Sequence, residues 1–280
     1  MQSRLRCSKW IGGLRPAVFF FFLAFAAAGE PVSLPRTSVL HLTAKSNGVG
    51  YKLYVSLPRD YETSNARYPV VYTLDADYSF AIAHNVVEHL ADREHLRWAI
   101  VVSIAYDGPP QYRLNRTRDY TPTYSLESPQ GAELQKVSGG GPKFRKFLVD
   151  ELIPFIDGKY RTTKERVLAG HSYGGLFSTW MLLTTDAFSG YIIVSGSLWY
   201  DKDLLFKLER EWKRAPKARV YLSAGALENP VMGDDVKRMG KLLRRRSSLA
   251  VKDEVLENET HNSIFPGAFS RGLRFVMNGR

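Results

Sequence analysis

The stretch VLAGHSYGGL, residues 167–176, joins an apolar run to a His–Ser pair fenced by glycines. Val167, Leu168 and Ala169 read as the end of a buried strand. Leu176, Phe177, Trp180 and Met181 continue as a helix. Between them, Gly170-His171-Ser172-Tyr173-Gly174 fits G-x-S-x-G in the strand–turn–helix context that motif requires. A serine on so sharp a turn has a strained backbone. Side chains two residues to either side are expected to collide with neighbouring elements, and glycine avoids the collision. The turn lifts the hydroxyl clear of the sheet and aims a helix N-terminus at whatever binds there. The pattern therefore predicts a nucleophile at Ser172.

A serine hydroxyl needs a base to take its proton. In this arrangement the chain order is Ser, acid, His. Downstream of Ser172 the sequence holds one histidine, His261, in NETHNSIFPGAF. It follows the last apolar run and precedes a helical pattern, Phe269, Leu273, Val276, so it is the expected base. His171 is excluded because adjacent side chains on such a turn diverge. The acid should follow the strand RVYLSAG, where Glu228 is the first carboxylate. Asp234 and Asp235 are the alternatives, although their expected place at the opening of a helix suits dipole and capping roles. Two backbone N–H groups should form the oxyanion hole. One is that of Tyr173, and the other lies in LDADYSF, at Ala76 or Asp77.

Short apolar runs recur between helical patterns. SVLHLTA and YKLYVSLP flank Asn47-Gly48, a hairpin signal. PVVYTLD, WAIVVSIAY, RVLAG, YIIVSG, RVYLSAG and LAVKDEVLE follow. Runs of this kind suit a sheet buried on both faces. The fold class read from this order is α/β, with a mostly parallel eight-stranded sheet and helices on both sides.

The chain has 280 residues, enough for one such domain. Its start is different in kind. Arg4, Arg6, Lys9 and Arg15 precede AVFFFFLAFAAA, twelve apolar residues at 17–28. That is short for a membrane span, which needs about 20. Residues 1–29 read as a secretory signal and residues 30–280 as the functional domain, with an uncleaved anchor as the alternative. The expected location is periplasmic or secreted, without stable membrane insertion once the signal is removed. The only cysteine, Cys7, lies in this segment, so the mature chain would have neither disulfide nor thiol nucleophile.

The formal charge is +11, of which four charges lie in the signal, leaving +7. KLEREWKRAPKAR and KRMGKLLRRR carry much of it. Both place apolar residues at helical spacing, Leu205, Leu208, Trp212 and Val236, Met239, Leu243. They read as solvated faces of amphipathic helices rather than a nucleic-acid surface. In HNVVEH, His84 and His89 are five apart, about 140° around a helix, which does not suit a metal pair. Trp199, in SGSLWY, falls just past a strand at the sheet edge where ligands collect, as substrate wall or packing residue. Arg113, Arg116 and Arg118 in YRLNRTRDY are candidates for binding an anionic substrate, or for an ion pair with Asp119.

Several of these pieces together resemble the putative-esterase family of α/β-hydrolases: YVSLPRDY, YPVVYTLDADYSF, RTRDYTPT, FLVDELIPFIDGKYRT, VLAGHSYGGLFSTW, IIVSGSLWY, SAGALE and the segment around His261. That group includes siderophore (enterochelin-type) esterases, esterase D with S-formylglutathione hydrolase, and mycolyltransferases. The match is most specific to the siderophore-esterase-like branch. One departure is Ala76, where that branch often has glycine. The resemblance implies an α/β-hydrolase fold and hydrolysis of a small-molecule carboxylic ester through an acyl-enzyme on Ser172, without metal or cofactor. A catecholate lactone is the expected substrate. A general short-chain esterase, an acyltransferase with the same triad and a non-catalytic binding protein are the alternatives. Oligomeric state is not legible in the chain.

Overall fold

The computed structural model describes residues 30–277, apart from 110 and 214. The expected signal segment, 1–29, lies outside the described residues. Residues 30–33 carry no helix or strand, and the chain from Leu34 onward forms one compact unit.

Its centre is an eight-stranded sheet: β1 (Thr37–Thr43), β2 (Gly50–Ser56), β3 (Tyr68–Thr73), β4 (Ile100–Tyr106), β5 (Thr162–His171), β6 (Gly190–Val194), β7 (Ala218–Gly225) and β8 (Leu249–Leu256). The helices are α1 (Ala76–Arg93), α2 (Tyr112–Tyr120), α3 (Ala132–Gln135), α4 (Gly141–Lys146), α5 (Ile153–Lys159), α6 (Tyr173–Thr184), α7 (Tyr200–Glu211), α8 (Pro230–Leu243) and α9 (Phe265–Met277). A π-helical stretch, Phe147–Leu152, joins α4 to α5 just before Pro154, which has no N–H to continue the ladder.

The strand order is β1-β2-β4-β3-β5-β6-β7-β8. β1–β2 and β2–β4 pair antiparallel, and the other neighbours run parallel. The predicted strands all appear, and β5 starts four residues earlier than RVLAG because Thr162 pairs with Tyr68 across β3. The Asn47-Gly48 hairpin forms as a longer loop closed by Ala44 N–H to Val49 O at 2.9 Å, with Gly48 at φ 72°.

The parallel strands are buried on both sides, so alternate residues enter different cores. Val70 and Tyr72 join a cluster with Phe144, Phe147, Phe177 and Met239, contributed by α4 to α8. Val71 joins the opposite cluster with Val87, Phe269 and Leu273, from α1 and α9. Each fully buried large apolar side chain contributes about 1.5–3 kcal/mol. The two basic segments behave as their periodicity predicts: Leu205, Val236, Met239 and Leu243 are fully buried. All the parallel strands end on one edge, and this edge carries Asp75, Ser172, Ser195, Glu228 and His261 on the loops that follow.

Candidate active site

β5 ends at His171, and α6 starts at Tyr173. Ser172 sits between them at φ 61°, ψ −118°, a conformation that costs a non-glycine residue of order 1–3 kcal/mol. Its N–H donates to Val194 O at 3.0 Å, and its carbonyl accepts from Leu176 and Ser197 at 2.9 and 3.2 Å. The glycine argument holds at Gly170, where a Cβ would fall on the Gly174 carbonyl. It does not hold at Gly174, whose Cβ would only approach Asp75 Oδ2 at 3.3 Å. The second steric requirement is at Gly175 instead, because a Cβ there would lie 2.7 Å from the Gly196 Cα.

The loop after β7 brings Glu228 to His261. His261 Nδ1 donates to Glu228 Oε2 at 2.6 Å. The other carboxylate oxygen accepts from Ser195 Oγ and from the Gly225 N–H, both at 2.6 Å. The Glu228 side chain is only 2% exposed. Burial alone would raise its pKa, but the hydrogen bonds from His261, Ser195 and Gly225 outweigh burial and hold it below the usual carboxylate range. Asp234 and Asp235 do not open α8 as expected. The helix starts at Pro230, capped by Asn229, whose side chain accepts from Val231 N–H. Asp234 is exposed on its second turn, and Asp235 is buried beside Arg238, 3.8 Å away. Among the described residues, the Ser172 hydroxyl makes no hydrogen bond to His261. Such contacts commonly tighten only when substrate binds.

Two helix N-termini converge at the elbow. Tyr173 is the first residue of α6, while Ala76 and Asp77 are the first two of α1. The opening N–H groups of a helix have no partner within it, so these three can aim at a developing oxyanion. Asp75, which precedes α1 at φ 57°, would put a carboxylate beside them. Arg116 neutralises it with a bidentate pair, Nε to Oδ1 at 3.0 Å and Nη2 to Oδ2 at 3.1 Å. Tyr112 donates a further bond to Oδ1 at 2.9 Å.

Arg116 is therefore a correction to the substrate-binding expectation. It is 8% exposed and faces inward, with its guanidinium over the rings of Tyr112, Tyr120 and Tyr173. Arg118 is likewise committed, to Asp119 through Nε and Nη2 and to Asn115 through Nη1. Arg113 is exposed on α2. Trp199 is half-buried and lines a cavity of about 550 Å³ with Leu227, Val231, Met232 and His261. Among the described residues, the only charged one on that wall is Glu228, already hydrogen-bonded. A cavity of about 410 Å³ lined by Arg97, Lys217 and Arg219 lies at the opposite ends of the strands, away from this chemistry. His84 is buried in α1 against Ser56, with Nδ1 2.8 Å from its Oγ.

Ser195, Asp75 and Tyr78 were not singled out by the sequence pattern. Ser195 directly follows β6, at φ 44°, and its link to Glu228 depends on β6 and β7 being neighbours. Asp75 had a local signal, since it ends an apolar run just before a helix, where an acid is favoured.

The Esterase family model, described as Putative esterase, matches residues 45–273. Ferri-bacillibactin esterase BesA of Bacillus subtilis (strain 168) is 31% identical over 264 residues, spanning 88% of this chain and 91% of that protein. The crystal structure of BES protein from Bacillus cereus superposes with a TM-score of 0.79 at 26% identity, over 89% of this chain and 99% of that one. The IroE-like serine hydrolase from Shewanella oneidensis gives a TM-score of 0.78 at 26% identity, over 86% and 80% of the two chains. The sheet with its converging loops is thus an α/β-hydrolase fold, and the chain belongs to this esterase family as a carboxylic ester hydrolase of the serine type.

Proposed function

We propose that Ser172 is the nucleophile, His261 its general base and Glu228 the triad acid. The carrying observation is the 2.6 Å bond from His261 Nδ1 to a buried carboxylate, on the loop facing the elbow. In this scheme Ser172 Oγ attacks the ester carbonyl while His261 Nε2 takes the proton. The carbonyl oxygen becomes an oxyanion, bound by the N–H of Tyr173 and that of Ala76 or Asp77. Collapse expels the alcohol, which receives the proton from His261. Water then repeats the sequence on the acyl-enzyme and frees the acid. Glu228 holds the imidazole in the Nδ1–H tautomer and stabilises the imidazolium, without itself being protonated.

We infer that the substrate is a siderophore-type ester. Support comes from relatives named as ferri-bacillibactin, enterobactin and salmochelin esterases. The Trp199–Leu227–Val231–Met232 wall favours a flat, apolar or aromatic portion of the ester over a carboxylate, because among the described residues no free cation faces it. The basic apolar start of the chain supports export to the periplasm or medium. Among the described residues, no helix is long and apolar enough to cross a membrane.

The test is a fluorophosphonate probe with a product assay. The wild type should label, Ser172→Ala should not, and a tri-catechol trilactone should be cleaved with a higher kcat/KM than p-nitrophenyl butyrate. Labelling without lactone cleavage would leave a general short-chain esterase, and product capture by an added alcohol in preference to water would make it an acyltransferase. Absence of labelling would reject the nucleophile.

A further inference from the structure

His171 plays no part in that scheme, yet it joins the elbow to the loop that carries His261. Its Nε2 lies 2.7 Å from the His261 carbonyl oxygen. A carbonyl only accepts, so Nε2 bears the proton. Nδ1 lies 3.2 Å from the Tyr78 hydroxyl. In the neutral ring Nδ1 is bare, so the phenol donates to it. Burial, reinforced by His261 and Arg116 and opposed by Asp75 and the carbonyl acceptor, pushes the His171 pKa down to about 4, which keeps the ring neutral.

The chain of contacts continues inward. The Tyr78 hydroxyl also lies 3.4 Å from Asp75 Oδ2, and Arg116, which grips Asp75, donates through Nη2 to the His171 carbonyl at 3.3 Å. These bonds draw together α2, the loop after β3, α1, the elbow and the His261 loop. We propose that His171 is a positioning residue: its Nε2–H fixes the backbone of His261, and Tyr78, giving its one proton to Nδ1, favours the tautomer able to do so, while Arg116 holds the His171 carbonyl. The inference rests on His261 being the base.

Cavities flank that loop on two sides. Thr260, His261 and Asn262 border the Trp199 cavity of about 550 Å³ on one side. Asn262 and Ser263 border a second, of about 350 Å³, with Tyr78, Ile82 and Phe265 on the other. Among the described residues, His261 has two hydrogen bonds, one from the ring to Glu228 and one to its carbonyl from His171. Its ring also rests against the His171 ring, with centroids 4.6 Å apart. With both tethers in place the position of Nε2 is determined. Without the His171 bond the His261 carbonyl loses its partner, and the residue is held only by its ring to Glu228 and by the turn around it, Thr260 N–H to Ser263 Oγ at 3.0 Å and Ile264 N–H to Thr260 O at 3.2 Å.

The experiment compares His171→Phe, which keeps a ring against Phe265 and Tyr78, with His171→Gln, whose amide can donate from nearly the same place. The Phe variant should lose about 10- to 100-fold in kcat, the scale of a misplacement near 1 Å, with KM changed less than about threefold. The Gln variant should recover most of that loss. Amide hydrogen exchange across residues 259–264 should quicken in the Phe variant and slow again in the Gln variant. In the wild type, ¹⁵N NMR should find His171 as the neutral Nε2–H tautomer at pH 7. Tyr78→Phe, which keeps the imidazole, should mix the tautomers and lower kcat, and serves should His171→Phe fail to fold. An Nδ1–H tautomer, unchanged loop exchange, or wild-type kcat alongside faster exchange overturns the proposal. The NMR and exchange measurements do not depend on turnover. Failure of the triad itself appears separately, as activity retained in His261→Ala.

Discussion

Replacing Glu228 by Gln exchanges one oxygen for an NH₂ group with almost no change of shape, yet the site offers no arrangement that accommodates it. One carboxylate oxygen accepts from both Gly225 N–H and Ser195 Oγ, and the other from His261 Nδ1, all at 2.6 Å. If the amide oxygen stays with Gly225, the NH₂ faces Nδ1. The imidazole must then switch to its Nε2–H tautomer, which cannot accept the Ser172 proton. If the amide flips, NH₂ meets the backbone N–H of Gly225, donor against donor, at a position 2% exposed. A lost hydrogen bond to a charged group costs about 1.5–3 kcal/mol. A wrong tautomer in such a triad costs about 10⁴ in kcat. We expect kcat to fall about 10³- to 10⁴-fold, or about 4–5.5 kcal/mol, with KM within about threefold. Pre-steady-state acylation on a p-nitrophenyl ester measures it directly. The folded pKa of Glu228 is depressed, so its ionisation stabilises the fold above the unfolded carboxylate pKa, and that contribution disappears as pH falls through the folded value. The Tm gap between wild type and Glu228→Gln should therefore be wide at pH 7 and close in acid. A Gln variant that keeps more than about a tenth of wild-type kcat refutes the tautomer argument.

Ser172→Ala and His261→Ala should each remove about 10⁵- to 10⁶-fold in kcat and should not be additive when combined, because triad members act as a unit; single-turnover kinetics on both and on the double variant checks this. Gly170→Ala should destabilise by several kcal/mol or prevent folding, since its Cβ would fall on the Gly174 carbonyl, and chemical denaturation reads the loss. Asp235, raised to about 6 mainly by burial and then by Asp203, costs stability as pH rises from the unfolded value near 3.9 through 6. Its neighbours Arg238 and Asp203 are 45% and 41% exposed and screen it, so Asp235→Asn should add about 1 kcal/mol at pH 8 and nothing at pH 4 in urea unfolding. Because Arg116 and Arg118 are paired inward, kcat/KM on a tri-catechol lactone should change less than about threefold between 0.05 and 0.5 M salt, where free steering cations would produce a steeper fall.

Much of this was legible in the chain itself because it is local. Apolar runs of strand length separated by helical periodicity encode how many elements form and which are buried on both faces, and all eight strands follow from that. The elbow is local too: strand, glycine, serine and helix stand within ten residues, 167–176. His261 and Glu228 could be reached because chain order after the elbow leaves few candidates. What periodicity does not encode is which distant side chain a polar group faces. Arg116 read as a substrate ligand or a partner of Asp119 until the strand order β2-β4-β3-β5 placed α2 against the end of β3, where Asp75, 41 residues earlier, accepts from its Nε and Nη2. Ser195 reaches Glu228 only because β6 lies beside β7, and His171 reaches the His261 carbonyl across 90 residues of chain. The nucleophile's turn is a property of a few consecutive backbone angles. The support around it is a property of which loops end on the same sheet edge, and only the assembled sheet decides that.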